Sequence, residues 1–375
     1  MNKSIQLVYF LAFLPFVNFG ISLFNSDTQP FYLIGVLFIL LKNFKSLVFK
    51  KKDLILLSYA LVATITLLIV GNDSGKNINL VAMFIALFFF QRYTYNLNLL
   101  RGVLVIYSLF FVLWIVLPNL AYDIQINLVR NINSIGSSYR GISVLSTEPG
   151  LYSGAAVILL ELFFLKLNNK FKTIDYVLIF IISSSIILSF SGTSIIFLGV
   201  FIFLRIKSKL SFLIILLAVF LVPNFLISLF PESRLSYFLN ILNFNNFNLI
   251  FLDVSLMYRI SSLMVSLEFF ANNILGGLLG ENVTRGLQDL YVKRYYNPFV
   301  NMGYEIRMVS SLGYVIANAG VFSFFFFVNL IKNNFSLRGV LYFILCLCFS
   351  YSLIFPLTLI LLAESLKKNK LCVEY

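Results

Sequence analysis

Seven arginines fall in two stretches of this chain. Arg130 and Arg140 lie within residues 119–149, and Arg234, Arg259, Arg285, Arg294 and Arg307 within residues 231–309. A guanidinium is a planar fork that grips phosphate or carboxylate through two hydrogen bonds. A set of them is the chemistry for holding an anion. The plain alternative is pairing with nearby acids, among them Asp123, Glu148, Glu232, Asp253, Glu268, Glu281, Asp289 and Glu305. For any single arginine both readings stand; the clustering favours a bound anion.

Several local motifs accompany these charges. Tyr139–Gly150 contains Arg140, Gly141, Glu148 and Pro149. Pro149 suits the first turn of a helix, where a missing N–H costs nothing. Ser146 or Thr147 would cap that helix, which sets Glu148 at the positive end of its dipole. Glu148 is then either a plain helix-start carboxylate or a base that faces Arg140 and binds the acceptor. Leu188–Ser194 is a tight run of small polar residues, read as a helical hairpin sooner than as direct chemistry. Downstream, Arg259 and Glu268 precede the glycine-rich Asn272–Gly280. Finally Glu305, Arg307, Ser310 and Ser311 open a stretch that ends at Ala319–Gly320.

The elements that position these residues are apolar. The 375-residue chain is 60% hydrophobic and 11% charged, with a mean hydropathy of +0.95. Soluble domains are about a quarter charged, so lipid is expected to serve as solvent. Apolar segments run at 5–24, 31–49, 54–70, 78–91, 100–118, 150–166, 174–190, 193–206, 211–230 and 310–331. A last stretch, 339–363, is one long helix or two short ones bent near Ser350–Pro356. The fold expected is all-α, a single polytopic membrane domain of 11–12 crossings over residues 1–375. Met1–Phe24 carries Lys3 and no small-residue cleavage site, so it reads as a retained first helix.

Charge gives the expected orientation. With the N-terminus in the cytoplasm, 19 of the 28 basic residues face inward, and 15 of those are lysine. The nine outward ones are the seven arginines with Lys76 and Lys293. The lysines anchor loops, as the positive-inside rule requires. The C-terminal Lys367, Lys368 and Lys370 also belong inside, which favours two short final helices and twelve crossings. Residues 119–149 and 231–309 become the two long outward loops, the second expected to hold short helices packed on the membrane face. The net charge of +13 is punctuation between apolar segments and does not imply nucleic acid. The absence of histidine excludes His-ligated metals and His-based acid–base catalysis. Cys346, Cys348 and Cys372 form no disulfide framework.

In order and spacing these motifs resemble those of the O-antigen polymerase family, which is similar in turn to the O-antigen ligases. The resemblance covers about residues 130–330. It rests on Arg140-Gly141 with Glu148-Pro149, the hairpin Ser189–Thr193, Arg259 with the element from Asn272 to Gly280, and Glu305–Gly320. It implies a GT-C-type glycosyltransferase of the bacterial inner membrane with both termini cytoplasmic. Its substrates would be undecaprenyl-pyrophosphate-linked oligosaccharides at the periplasmic face, joined without metal or cofactor. A separate chain-length regulator is typical of that family. Arg140, Arg259 and Arg307, with Arg285 and Arg294, would hold the pyrophosphates. Arg140 and Glu148 would be catalytic, with Arg130, Glu305, Ser310 and Ser311 nearby. Ligases commonly carry a histidine where Ser310-Ser311 stands, which argues against ligation and leaves the base open between Glu148 and another outward carboxylate. A ligase, and a flippase of lipid-linked oligosaccharides, remain the alternatives. A flippase would set its charges along a central cavity, and here Glu161 is the clearest intramembrane charge.

Overall fold

The computed structural model describes residues 2–18, 29–47, 57–58, 61, 74–129, 141–167, 171–205, 228, 254–276, 310–324, 328, 337–349 and 351–371. At 46, 74–78, 80, 254–260, 337 and 365–371 it describes the backbone alone. The described residues form helices and no strand; a lone bridge joins Val17 and Val129. The helices are α1 (Lys3–Phe13), α2 (Phe31–Lys42), α3 (Ser74–Arg92), α4 (Leu97–Val116), α5 (Pro118–Leu128) and α6 (Pro149–Leu167). They continue with α7 (Thr173–Ile187), α8 (Gly192–Phe203), α9 (Val254–Asn272), α10 (Ser311–Ala319), α11 (Leu337–Cys348) and α12 (Pro356–Leu371).

Among the described residues two helices, α4 and α6, are long and apolar enough to cross a membrane. Others expected to span are interrupted. The first segment stops at Phe13, because Pro15 disfavours helix at the residue before it; Leu14 has already left the helix, at φ −115° and ψ 60°. The 310–331 segment breaks at Gly320, whose φ of +51° ends α10 before helix resumes at Val321. The last apolar stretch divides as the lysine rule favoured, with Tyr351–Phe355 outside any helix and Pro356 opening α12. Most of 54–70 and 211–230 lies outside the described residues.

The chain forms two compact units, Met1–Tyr32 with Tyr95–Ile250, and Leu33–Thr94 with Phe251–Tyr375. In the first, α4 packs against α1, α5, α6 and α7, and α6 against α7 and α8. α6 is buried on nearly every side, from Pro149 through Phe163. Its run Ser153-Gly154-Ala155-Ala156 lets neighbouring backbones come close. α4 buries Leu100, Val103, Leu104, Tyr107 and Phe111, a helical stripe, while Val105, Leu109, Val112 and Val116 on the other face are exposed. Pro118 ends α4 and starts α5, so the first expected loop begins as a helix. In the second unit the packing runs α9 to α10, α10 to α11, α11 to α12 and α12 to α3.

Charge is sorted along the first unit. Arg101 Nε and Nη2 donate to the two oxygens of Asp175, both at 2.7 Å. Arg205 pairs with the fully buried Glu161 and stacks over Phe164 and Phe201. Lys166 Nζ lies 4.6 Å from the centre of the Tyr95 ring. These groups sit where α4 and α7 begin and α6 and α8 end. Glu148 and Gly192 mark the opposite ends of α6 and α8.

Candidate functional site

At that opposite end, the two motifs read from the sequence in the first unit meet. Gly141 has a φ of +74°, and a methyl group on it would stand 2.5 Å from both Ser189 C and Ser189 O. Ile142 N donates to Leu188 O at 3.1 Å. A Cβ on Gly150 would come within 3.0 Å of Ser191 Oγ and 3.2 Å of Thr193 Oγ1. The loop that carries Glu148 is thus laid directly on the α7–α8 hairpin, and at Gly141 only glycine allows the contact. Val144 and Phe190, one on each partner, hold φ of 47° and 46°. A β-branched and an aromatic residue in this region store strain that the surrounding packing must impose.

Hydrogen bonds lock the junction. Ser146 Oγ donates to Glu148 O at 3.1 Å, and Tyr152 N donates to the same carbonyl. Glu148 N donates to Ser146 Oγ at 3.4 Å, a tight turn just ahead of α6. The hairpin hydroxyls are spent on backbone. Ser189 Oγ donates to Ile186 O, Ser191 Oγ accepts from Thr193 N, and Ser194 Oγ donates to Ser191 O. The scaffold reading of this turn therefore fits better than chemistry. Beneath the hairpin, Tyr152 and Ser185 share a short hydrogen bond between hydroxyls.

Gln125 was not legible in the sequence. It is fully buried on α5, and its Nε2 donates to Ser143 Oγ at 3.0 Å and Ser146 O at 2.7 Å. It braces the loop five and two residues before Glu148. Its one sequence signal is a long polar side chain on a short helix after Pro118. Gln125 Oε1 and Thr147 Oγ1 are buried without a hydrogen-bond partner among the described residues.

The second unit repeats the device. Gly276 (φ +60°) and Gly320 (φ +51°) interlock, since a Cβ on Gly276 would lie 2.4 Å from Ala317 O and one on Gly320 2.3 Å from Ile274 O. Val321 N donates to Ile274 O at 2.8 Å. Ser262 Oγ receives Ser310 N at 3.5 Å, and a Cβ on Gly313 would meet Ser266 Oγ at 2.6 Å. Hence α9 and α10 run parallel, level with each other from Ser262 and Ser310 to Gly276 and Gly320. Short helices packed on the membrane face were expected here; α9 is a single helix of 19 residues, and small residues on both helices zip it alongside α10.

Arg259 precedes Ser262 and Ser266 by three and seven residues along α9. Ser310 and Ser311 have structural work. Ser310 Oγ donates to Leu347 O at 3.3 Å and accepts from Gly313 N, capping α10. Ser311 Oγ donates to Tyr351 O at 2.6 Å. Of the other expected site residues, Arg130, Arg140, Arg285, Arg294, Glu305 and Arg307 lie outside the described residues, as does the side chain of Arg259. Arg140 directly precedes the pinned Gly141.

No family model matches the chain, and no curated protein or solved structure matches it.

Proposed function

We propose that this protein is a polytopic membrane glycosyltransferase that joins oligosaccharide repeat units carried on undecaprenyl pyrophosphate, at the outward face of the bacterial inner membrane. One observation carries the reading. The separate motifs of the polymerase resemblance pair in space, Gly141 on Ser189 and Gly276 on Gly320. Motifs that were accidents of composition would have no reason to interlock. The bilayer part is supported by exposed apolar faces, such as Leu109, Val116 and Phe180, each more than 60% accessible, which water would penalise.

In the reaction proposed, the acceptor sugar hydroxyl attacks the anomeric carbon of the growing chain. The bond from that carbon to the pyrophosphate oxygen breaks, and undecaprenyl pyrophosphate leaves with the electron pair. Glu148 takes the hydroxyl proton. Arg140, Arg259 and Arg307 balance the charge that grows on the pyrophosphate, which requires their forks to be held in place beforehand. A chain-length regulator would act from outside this site.

The test is reconstitution in proteoliposomes with polyprenyl-pyrophosphate-linked repeat units. The expected products are oligomers and free polyprenyl pyrophosphate in equal number to the bonds formed. Arg140→Lys and Arg259→Lys, which keep charge but lose the fork, should each cut oligomer formation by about tenfold or more. Normal products from both variants would refute the arginine assignment.

A further inference from the structure

The second unit also holds an apolar groove of about 310 Å³. It runs between the C-terminal halves of α2 and α3. Leu37, Leu41 and Phe44 line one wall, and Phe84, Ile85 and Phe88 the other. Leu41 and Phe44 are 72% and 64% exposed. At its mouth the chemistry changes. Lys42 and Lys45, both exposed, alternate with the lining residues Leu41, Phe44 and Leu47 along the end of α2 and the short 3-10 turn after it. The Arg92 guanidinium lies 3.2 Å from the centre of the Phe88 ring and donates to Phe88 O. Asn43 Nδ2 donates to Tyr93 OH at 3.3 Å, which ties the two helix ends together beside the mouth.

A long apolar slot with three cations at one end is complementary to a lipid with a phosphate headgroup. Lys42 and Arg92 also offset the dipoles of the helices they end, but that role needs no groove. We propose that this groove seats the acyl chains of an anionic phospholipid, with Lys42, Lys45 and Arg92 around its phosphate. The site lies in the lysine-bearing leaflet. It rests on the bilayer part of the proposed function and not on the polymerisation reaction.

Native mass spectrometry of the detergent-extracted full chain tests this, with phosphatidylglycerol and phosphatidylcholine of identical acyl chains as probes. Phosphatidylglycerol should be retained preferentially. Each cation contributes roughly fivefold near an anionic headgroup, so Lys42→Gln/Lys45→Gln/Arg92→Gln should erase the preference by well over ~10-fold. Leu37→Trp, which fills the slot and leaves the cations, should weaken retention of both lipids. Equal retention of the two probes by the unaltered protein overturns the site, as does a preference that survives the triple substitution. Displacement of phosphatidylglycerol by equimolar polyprenyl phosphate overturns the phospholipid as occupant. The bilayer reading fails separately, if the protein leaves membranes without detergent.

Discussion

Replacing Gly141 by alanine probes the contact between the Glu148 loop and the α7–α8 hairpin. Two costs add. Holding a non-glycine residue at φ +74° costs about 1–2 kcal/mol. The new methyl would stand 2.5 Å from the Ser189 carbonyl carbon and oxygen, backbone atoms that cannot swing away, and forcing such overlap costs about 1–3 kcal/mol. The sum is roughly 2–5 kcal/mol, enough to lift the loop off the hairpin and misplace Arg140 and Glu148. Two other glycines calibrate the result. Nothing lies within 4 Å of a Cβ on Gly102, so Gly102→Ala should be neutral or should stabilise α4 by about 0.5–1 kcal/mol. Gly150→Ala meets the Ser191 hydroxyl at 3.0 Å, a contact that can give slightly, and should fall between. The assay is thermal unfolding of the detergent-purified protein, read with polysaccharide length in cells. Gly141→Ala melting and polymerising like Gly102→Ala would refute the docking.

Other substitutions follow the same logic. Gln125→Leu strips the Ser146 carbonyl and Ser143 hydroxyl of their buried donor and should destabilise by about 2–4 kcal/mol, measured by the same melt; polymer length should shorten because the brace before Glu148 is gone. Arg205→Gln leaves the buried Glu161 carboxylate without its guanidinium and should cost about 3–5 kcal/mol. Adding Glu161→Gln should recover most of that loss, which a double-mutant cycle measures. Ser310→Ala should lose about 1 kcal/mol as a helix cap but still polymerise, since its hydroxyl is engaged with Leu347 O and Gly313 N; an inactive but stable variant would make Ser310 part of the chemistry. Gly320→Ala should be as damaging to the second unit as Gly141→Ala is to the first.

The local sequence rules foresaw much of this architecture. Pro149 opens a helix, Leu188–Ser194 is a hairpin, and the lysine count divided the C-terminal stretch where Tyr351–Phe355 breaks it; that Pro118 opens α5 and that Ser191 and Ser310 cap α8 and α10 came only with the structure. Hydropathy could not see the interruptions at Leu14 and Gly320, because both lie inside apolar runs and are decided by backbone sterics. It also did not show that α9 packs along α10. Its alternating polar residues, Ser262 and Ser266, face not water but Gly313 and the start of α10. Gln125 escaped notice for the opposite reason: its partners are a hydroxyl and a carbonyl some twenty residues on, and no periodicity encodes a contact of that kind. The motif pairs were readable as pieces. That Gly141 belongs to Ser189, and Gly276 to Gly320, is a property of the folded chain.

The central claim is polymerisation, and the most direct measurement is the lipopolysaccharide of a host strain from which this gene is deleted, separated on a gel. The expected pattern is core bearing a single repeat unit, with the long ladder gone and restored by the intact gene. Bare core without any repeat would point to ligation or flipping and contradict the account, and so would an unchanged ladder.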